Sequence, residues 1–327
     1  MRRPATLFAF SEEERKRAHA LLGTLVASMM GRKLEEEDWA EVYCKAKNIP
    51  LRGWSNLDID VVNENLGVEH KMLKRKSNVD LIGFCGETLM HPSATRSIRV
   101  PPADADPESA MVDILTQYAE LIEARREKVR EQSEIDNEPD MRTGWLLWQD
   151  SLRQFLYFEE EMIAPDPADY FAEWHSRRGG GGRKPSTSLW IYEKDTGKKR
   201  YSVTTEAGAK IQPYFDVPPP NDPNLYLFTV IGEVIEAGLV RVWISEATAR
   251  ELERLLGELN IETISRSIGE AAAAISKTEE GVLVTATEPA REVFVAESAY
   301  EALRNTIPGV SDEHSFQLLA QYLRTRS

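Results

Sequence analysis

Cysteine is nearly absent from the 327-residue chain. Cys44 and Cys85 lie far apart and show no pairing logic, so no disulfide framework or zinc motif is available and a reducing, cytoplasmic location is expected. Long apolar runs are missing too. No uncharged apolar stretch reaches the eighteen or so residues of a membrane-spanning helix, and Met1-Arg2-Arg3 leads to the charged run Ser11 to Arg17 where a secretion signal would be apolar. Positive charge is also in deficit. A formal charge of −14 opposes a nucleic-acid partner, because phosphate binding draws on lysine and arginine. The deficit is uneven, however: six basic residues stand against two acidic ones between Lys71 and Val100, and nine against four between Tyr170 and Lys210. Local fields of this kind steer polyanions whatever the sum, although exposed basic loops also occur on proteins that never meet DNA.

The length suggests two domains with a substantial core. Ser11-Glu12-Glu13-Glu14 is a capping box opening a helix whose apolar positions Leu21, Leu22, Leu25, Val26, Met29 and Met30 keep helical spacing up to Gly31. A second helix is predicted from about Leu34 to Ala46, burying Trp39, Val42, Tyr43 and Ala46 and leaving Glu37 and Glu41 on another face.

Leu57 to Leu73 then reads LDIDVVNENLGVEHKML, two alternating runs hinged at Asn63-Glu64-Asn65. A tight hairpin centred on Glu64-Asn65 sets Asp60 opposite Glu69 and Asp58 opposite Lys71. Opposed side chains lie about 5 Å apart at Cβ, and facing like charges destabilise a hairpin. Two carboxylates gripping one divalent cation, with a lysine beside a bound water, explain that repulsion; a solvated hairpin face is the alternative.

This pattern resembles the PD-(D/E)XK nuclease superfamily, which includes most restriction endonucleases, resolvases and many phage-defence nucleases. Its signature is an acidic residue on one strand, here Asp60, and Glu-x-Lys on the next, here Glu69-His70-Lys71. The likeness covers the first third of the chain, and the Pro-Asp pair is missing: Leu57 and Ile59 precede Asp58 and Asp60, so both aspartates stay candidates, with Asp60 favoured by its place opposite Glu69. The resemblance implies an α/β (α+β) restriction-endonuclease-like core, a mixed central sheet flanked by helices, that hydrolyses DNA phosphodiesters with Mg²⁺, or Mn²⁺ in its place, to leave 5′-phosphate and 3′-hydroxyl ends. Asp60, Glu69 and the His70 backbone carbonyl would be metal ligands and Lys71 would orient the attacking water. By the same resemblance Glu41 or Glu37 would be an accessory ligand; two solvated glutamates are the alternative.

The remainder reads as recognition. Lys74-Arg75-Lys76 and the segment with His91, Ser93, Thr95, Arg96, Ser97 and Arg99 carry the groups that phosphate contacts use. A charged amphipathic helix is predicted from about Glu108 to Glu131, and GWLLWQ and FLYFEEEM within Thr143 to Met162 fit either strand or helix. Four glycines, Gly179 to Gly182, sit among Arg177, Arg178, Arg183 and Lys184, as a cationic arm or a plain flexible linker. The hairpin that follows, SLWIYE to KKRYSVTT, has Lys198, Lys199 and Arg200 at its tip, and such a ribbon can enter a major groove. Beyond VPPPNDP (Val217 to Pro223), VWISEATARELERLLG from Val242 is echoed by VFVAESAYEALRNTIPG from Val293, a strand–helix unit repeated. The expected organisation is a nuclease core over 1–165, a basic β-rich region over 166–217 and a C-terminal α+β domain over 218–327. The expected activity is that of a type II restriction endonuclease, a homodimer on double-stranded DNA with a cognate methyltransferase; a partner-activated defence or repair nuclease and a non-catalytic binding module are the alternatives.

Overall fold

A computed structural model describes residues 6–29, 33–51, 59–95, 98–133, 137–177, 186–205, 209–272, 290–307 and 310–326. In chain order the elements are β1 (Thr6–Leu7), α1 (Glu12–Ser28), α2 (Glu36–Lys47), β2 (Val61–Asn63), β3 (Leu66–Arg75), β4 (Thr88–Met90) and α3 (Pro107–Gln132). Next come β5 (Asp140–Gln149), β6 (Gln154–Glu161), β7 (Tyr170–Arg177), β8 (Ser186–Glu193), β9 (Lys199–Thr204), β10 (Lys210–Asp216) and β11 (Tyr226–Thr229). The last part holds β12 (Glu233–Glu236), β13 (Leu239–Ser245), α4 (Glu246–Leu256), α5 (Ile261–Ala272), β14 (Ala290–Ala296), α6 (Glu297–Thr306) and α7 (Asp312–Arg326).

The central sheet runs β1-β6-β5-β3-β2, with β11 sharing the outer edge of β6 with β1. It is mixed. β3 and β5 are parallel over their whole length, from Leu66 beside Asp140 to Arg75 beside Gln149, and the crossover between them carries α3; the other pairs are antiparallel. Both faces of β5 and β6 are covered, which is why GWLLWQ shows no alternation. On one face α1 and α2 pack Leu22, Val26, Trp39 and Tyr43 against Val68, Leu146, Phe155 and Tyr157. On the other, Trp145, Leu147, Leu156 and Phe158 meet Phe215 and Val217 of the second sheet, and α3 lays Ile122 and Val129 over Met141.

Local signals place the helices. Ser11 and Glu14 close the capping box in both directions, Asn48 ends α2 in the left-handed region, and Asp106 caps α3 with Pro107 in its first turn. Among the described residues no helix is long and apolar enough to cross a membrane.

The second sheet, β4-β10-β9-β8-β7, is antiparallel throughout. The hairpin β8–β9 is therefore no free ribbon: β7 and β10 flank it, and the expected entry of a two-stranded arm into a major groove is corrected accordingly. The third sheet, β12-β13-β14, is covered by α4 to α7. Here the sequence echo becomes structure, for β13 leads into α4 at Glu246, β14 leads into α6 at Glu297, and Val242 pairs with Val293. The chain crosses its expected divisions twice, since β4 joins the sheet of 166–217 and β11 joins that of 1–165.

Candidate active site

The hairpin takes the register read from the sequence. Val61 lies opposite Val68 and Asn63 opposite Leu66; the ladder ends there, and Asp60, one residue before it, is a close charge neighbour of Glu69. Asp60 Oδ2 accepts the His70 amide N–H at 2.6 Å. An N–H and C=O of one strand residue point to the same edge, so the His70 carbonyl lies on this side too. Burial pushes the Asp60 carboxyl up to about 7, and the neighbouring Glu69 charge adds to the rise while Lys71 and the His70 amide oppose it.

Glu69 is buried, and its Oε1 accepts from Lys71 Nζ at 2.5 Å and from Arg125 Nη2 at 3.0 Å. Glu69, Lys71, Arg125, Glu160 and Arg200 are among the residues lining one cavity of about 580 Å³ between the central and second sheets. Arg125 was not legible as a site residue, although a signal existed: it falls on the α3 stripe Tyr118, Ile122, Val129, where a cation interrupts an otherwise apolar row. Glu160 is hidden within FLYFEEEM, a segment whose sequence fits either strand or helix. Alternation sends Glu159 to one face and Glu160 to the other, where Trp145 Nε1–H donates to Glu160 Oε1 at 2.7 Å and burial pushes the carboxyl up to about 7.

His70 contributes backbone only. Its ring packs on the opposite face, 5.0 Å from the Tyr43 ring and 6.2 Å from Trp39, where burial lowers its pKa to about 3. The α2 helix lies on that same face, which removes Glu41 from the group: it is half exposed and paired with Lys45 at 2.5 Å. Glu37 borders a groove with Met72 and Lys74 on that side as well. The α2 carboxylate whose charge reaches Asp60 is Glu36. Asp58 lies outside the described residues.

Two neighbouring carboxyl groups, one with its pKa raised by burial and then by the other's charge, fit a divalent cation, and an oxygen-only donor set fits Mg²⁺. Among the described residues no group of three His, Cys, Asp or Glu side chains could hold a metal by itself. The backbone carbonyl and solvent would complete the shell.

The expected DNA contacts disperse. Lys74 and Lys76 are exposed near the far end of β3, about 17 Å along the strand from Glu69, and the Arg75 guanidinium lies 4.5 Å from the Phe84 ring. His91 braces the β4 segment, taking the Ser93 N–H at Nδ1 (3.2 Å) and facing the Met72 carbonyl through Nε2 (3.2 Å), while Thr95 bridges to Ile211. Arg99 is exposed. Lys198 pairs with Asp216 at 3.6 Å, Arg200 with Glu193 and Asp216 at 2.9 Å each, and Lys199 stands 3.5 Å over the Trp190 ring. Arg200 thus points into the cavity and not off a ribbon tip. Arg96, Ser97, Arg183 and Lys184 lie outside the described residues. Comparison of the chain with protein-family models, with curated proteins and with solved structures found no match.

Proposed function

We propose that the chain is a divalent-metal-dependent nuclease acting on DNA phosphodiesters, with Asp60, Glu69, Lys71 and Arg125 as its working group. The observation that carries this reading is Asp60 next to Glu69, with Lys71 and Arg125 on one Glu69 oxygen beside a cavity large enough for a ligand. Asp60, Glu69 and the His70 carbonyl would hold Mg²⁺, with Mn²⁺ as a substitute. When bound, the ion supplies Lewis acidity and a lowered pKa for a coordinated water. Lys71 would orient the attacking water and offset charge on the phosphoryl oxygens, and Arg125, held on the same Glu69 oxygen, would add a second cation there.

A homodimeric restriction endonuclease on double-stranded DNA, accompanied by a methyltransferase, is one form of this proposal. The embedding of β8–β9 within five strands takes away the groove-reading ribbon that favoured it, so the partner-activated defence or repair nuclease is the form preferred. A non-catalytic binding module is the second reading, and the ion pairing of Glu69 favours it, because Lys71 and Arg125 together already neutralise that carboxylate.

Incubation of wild type, Glu69→Gln and Lys71→Ala with plasmid and with single-stranded circular DNA, in Mg²⁺ or EDTA, tests the choice. Nuclease action predicts Mg²⁺-dependent loss of substrate, reduced at least a hundredfold in either variant, on the order of 3 kcal/mol of transition-state stabilisation. Cleavage that persists in EDTA, or at wild-type rate in both variants, would remove these residues from the reaction.

A further inference from the structure

The outer face of the second sheet meets the cavity just described only at its β10 end, where Tyr214 and Asp216 line it. Its inner face packs Tyr170, Ala172, Leu189, Ile191, Val203 and Ile211 under α3. Strand alternation sends Phe171, His175, Trp190, Tyr192 and Tyr214 to the opposite face, and none of them belongs to the buried apolar clusters. These rings form a band across the strands. Phe171 stacks on Tyr192 at 5.2 Å and 15°, His175 stacks on Trp190 at 3.6 Å and 19°, and Lys199 Nζ lies 3.5 Å from the Trp190 ring and 5.0 Å from that of Tyr214.

Cross-strand aromatic pairs stabilise a sheet by themselves, and that accounts for Phe171 with Tyr192. It does not account for five rings gathered on a solvent-facing side whose charge runs against that of the whole chain. Arg177, Lys199 and Lys210 are on this face, against an exposed Glu173, while Asp216 is turned to the cavity border and paired there with Arg200 and Lys198. In a chain of net charge −14, a cationic aromatic face is complementary to a polyanion that also carries flat π surfaces.

We infer that the outer face of the β4-β10-β9-β8-β7 sheet is a docking platform for single-stranded DNA. Bases stack on Trp190, Tyr192 and Tyr214, and Lys199 passes from the Trp190 ring to a phosphate as a base takes its place. Aromatics on a sheet of this size hold about two or three bases, and recognition by stacking is tolerant of sequence. A duplex hides its base faces and gains only the electrostatic part. The choice of DNA rests on the nuclease reading above; the platform itself does not, since it binds without metal and shares no residue with the Asp60–Glu69 group.

The test is fluorescence anisotropy of a labelled oligothymidylate of about twelve nucleotides with the full chain in EDTA, so that loss of cleavage and loss of binding are read apart. Trp190→Ala and Tyr192→Ala should each weaken binding roughly tenfold, since stacking supports about five- to a hundredfold per base. Lys199→Gln should lower the slope of log K against log salt by about 0.7, as one lost phosphate contact on a single strand does. That last readout holds even where an aromatic variant fails to fold, which far-UV circular dichroism reports. Absence of wild-type binding at low salt would overturn the proposal, as would equal affinity for the matching duplex or an unchanged salt slope in Lys199→Gln. An oligoribonucleotide bound more than tenfold tighter would overturn the assignment to DNA.

Discussion

Glu160 in the cavity wall and Asp60 beside Glu69 share one electrostatic predicament. Burial raises Glu160 from an ordinary value of 4.5 to about 7, offset in part by the Trp145 N–H, and Asp60 rises to about 7 through burial and the charge of Glu69. A carboxyl whose folded pKa lies above its unfolded one binds more protons folded than unfolded between the two values, so stability falls as pH rises through that window. The loss begins above about 4.5 and is complete above about 7. For Glu160 it amounts to at most about 3 kcal/mol, taking 1.36 kcal/mol per pKa unit. Urea midpoints for wild type should therefore decline between about pH 5 and pH 8. Glu160→Gln should flatten the decline by roughly half, leaving the share of Asp60. Parallel wild-type and variant curves would show that water reaches Glu160 freely. If Asp60 and Glu69 hold Mg²⁺ as proposed, the ion should relieve the Asp60 share and leave that of Glu160.

At the level of single elements, packing around β3 depends on a residue with no side chain. Gly144 of β5 lies beside His70 in the parallel ladder, and a Cβ there would stand 2.4 Å from the Tyr157 hydroxyl and 2.7 Å from His70 Cδ2. Both neighbours are wholly buried, so neither can step aside. Gly144→Ala should cost about 1–3 kcal/mol by overpacking, read as a lowered urea midpoint at constant slope. An unchanged midpoint would mean the ring cluster is looser than these distances require. Elements were legible where local rules decide them. The Ser11–Glu14 box, the α2 stripe of Trp39, Val42, Tyr43 and Ala46, and the hairpin register through Glu64-Asn65 all follow from neighbours within a few residues. What stayed hidden depends on distant partners. Arg125 reaches Glu69 across 56 positions, and β8–β9 looks like a free ribbon in sequence because its pairing with the flanking strands β7 and β10 is not encoded in the periodicity of the hairpin itself. Glu41 failed for a related reason: helix spacing fixes which residues share a helix face, but not which face of the sheet that helix covers.

Taken whole, the molecule is tied together by strands that arrive late in the chain. The Pro-rich segment Val217 to Pro223 reads as a domain boundary, yet the residues just beyond it enter the first core. β11 pairs with β6 from Tyr226 beside Tyr157 to Thr229 beside Gln154. The Tyr226 hydroxyl accepts the Phe10 N–H at 3.1 Å and donates to the Phe10 carbonyl at 3.2 Å, and Phe228 is fully buried with Phe10 and Trp39. The third sheet is anchored on the same side, with Gly23 of α1 pressed so close to Trp243 that a Cβ would lie 2.6 Å from the ring, and the Ala290 N–H donating to Thr24 Oγ1 at 2.6 Å. A chain cut after Asp222 therefore loses more than an appended domain. It leaves the Gln154–Tyr157 stretch of the outer edge of β6 unpaired and empties the places of Tyr226 and Phe228, where loss of one large core aromatic alone costs about 3–5 kcal/mol, so that the two together are comparable with the whole stability of a typical domain. The truncated protein should aggregate or show no cooperative unfolding, whereas a cut after Gly232 that keeps β11 should recover a melting transition, with the Val240–Leu319 core removed as a unit. Analytical size exclusion and thermal circular dichroism on the two truncations separate the outcomes. Equal, cooperative folding of both would mean that β11 merely leans on the central sheet and that the boundary read at the prolines holds for the fold as well as for the sequence.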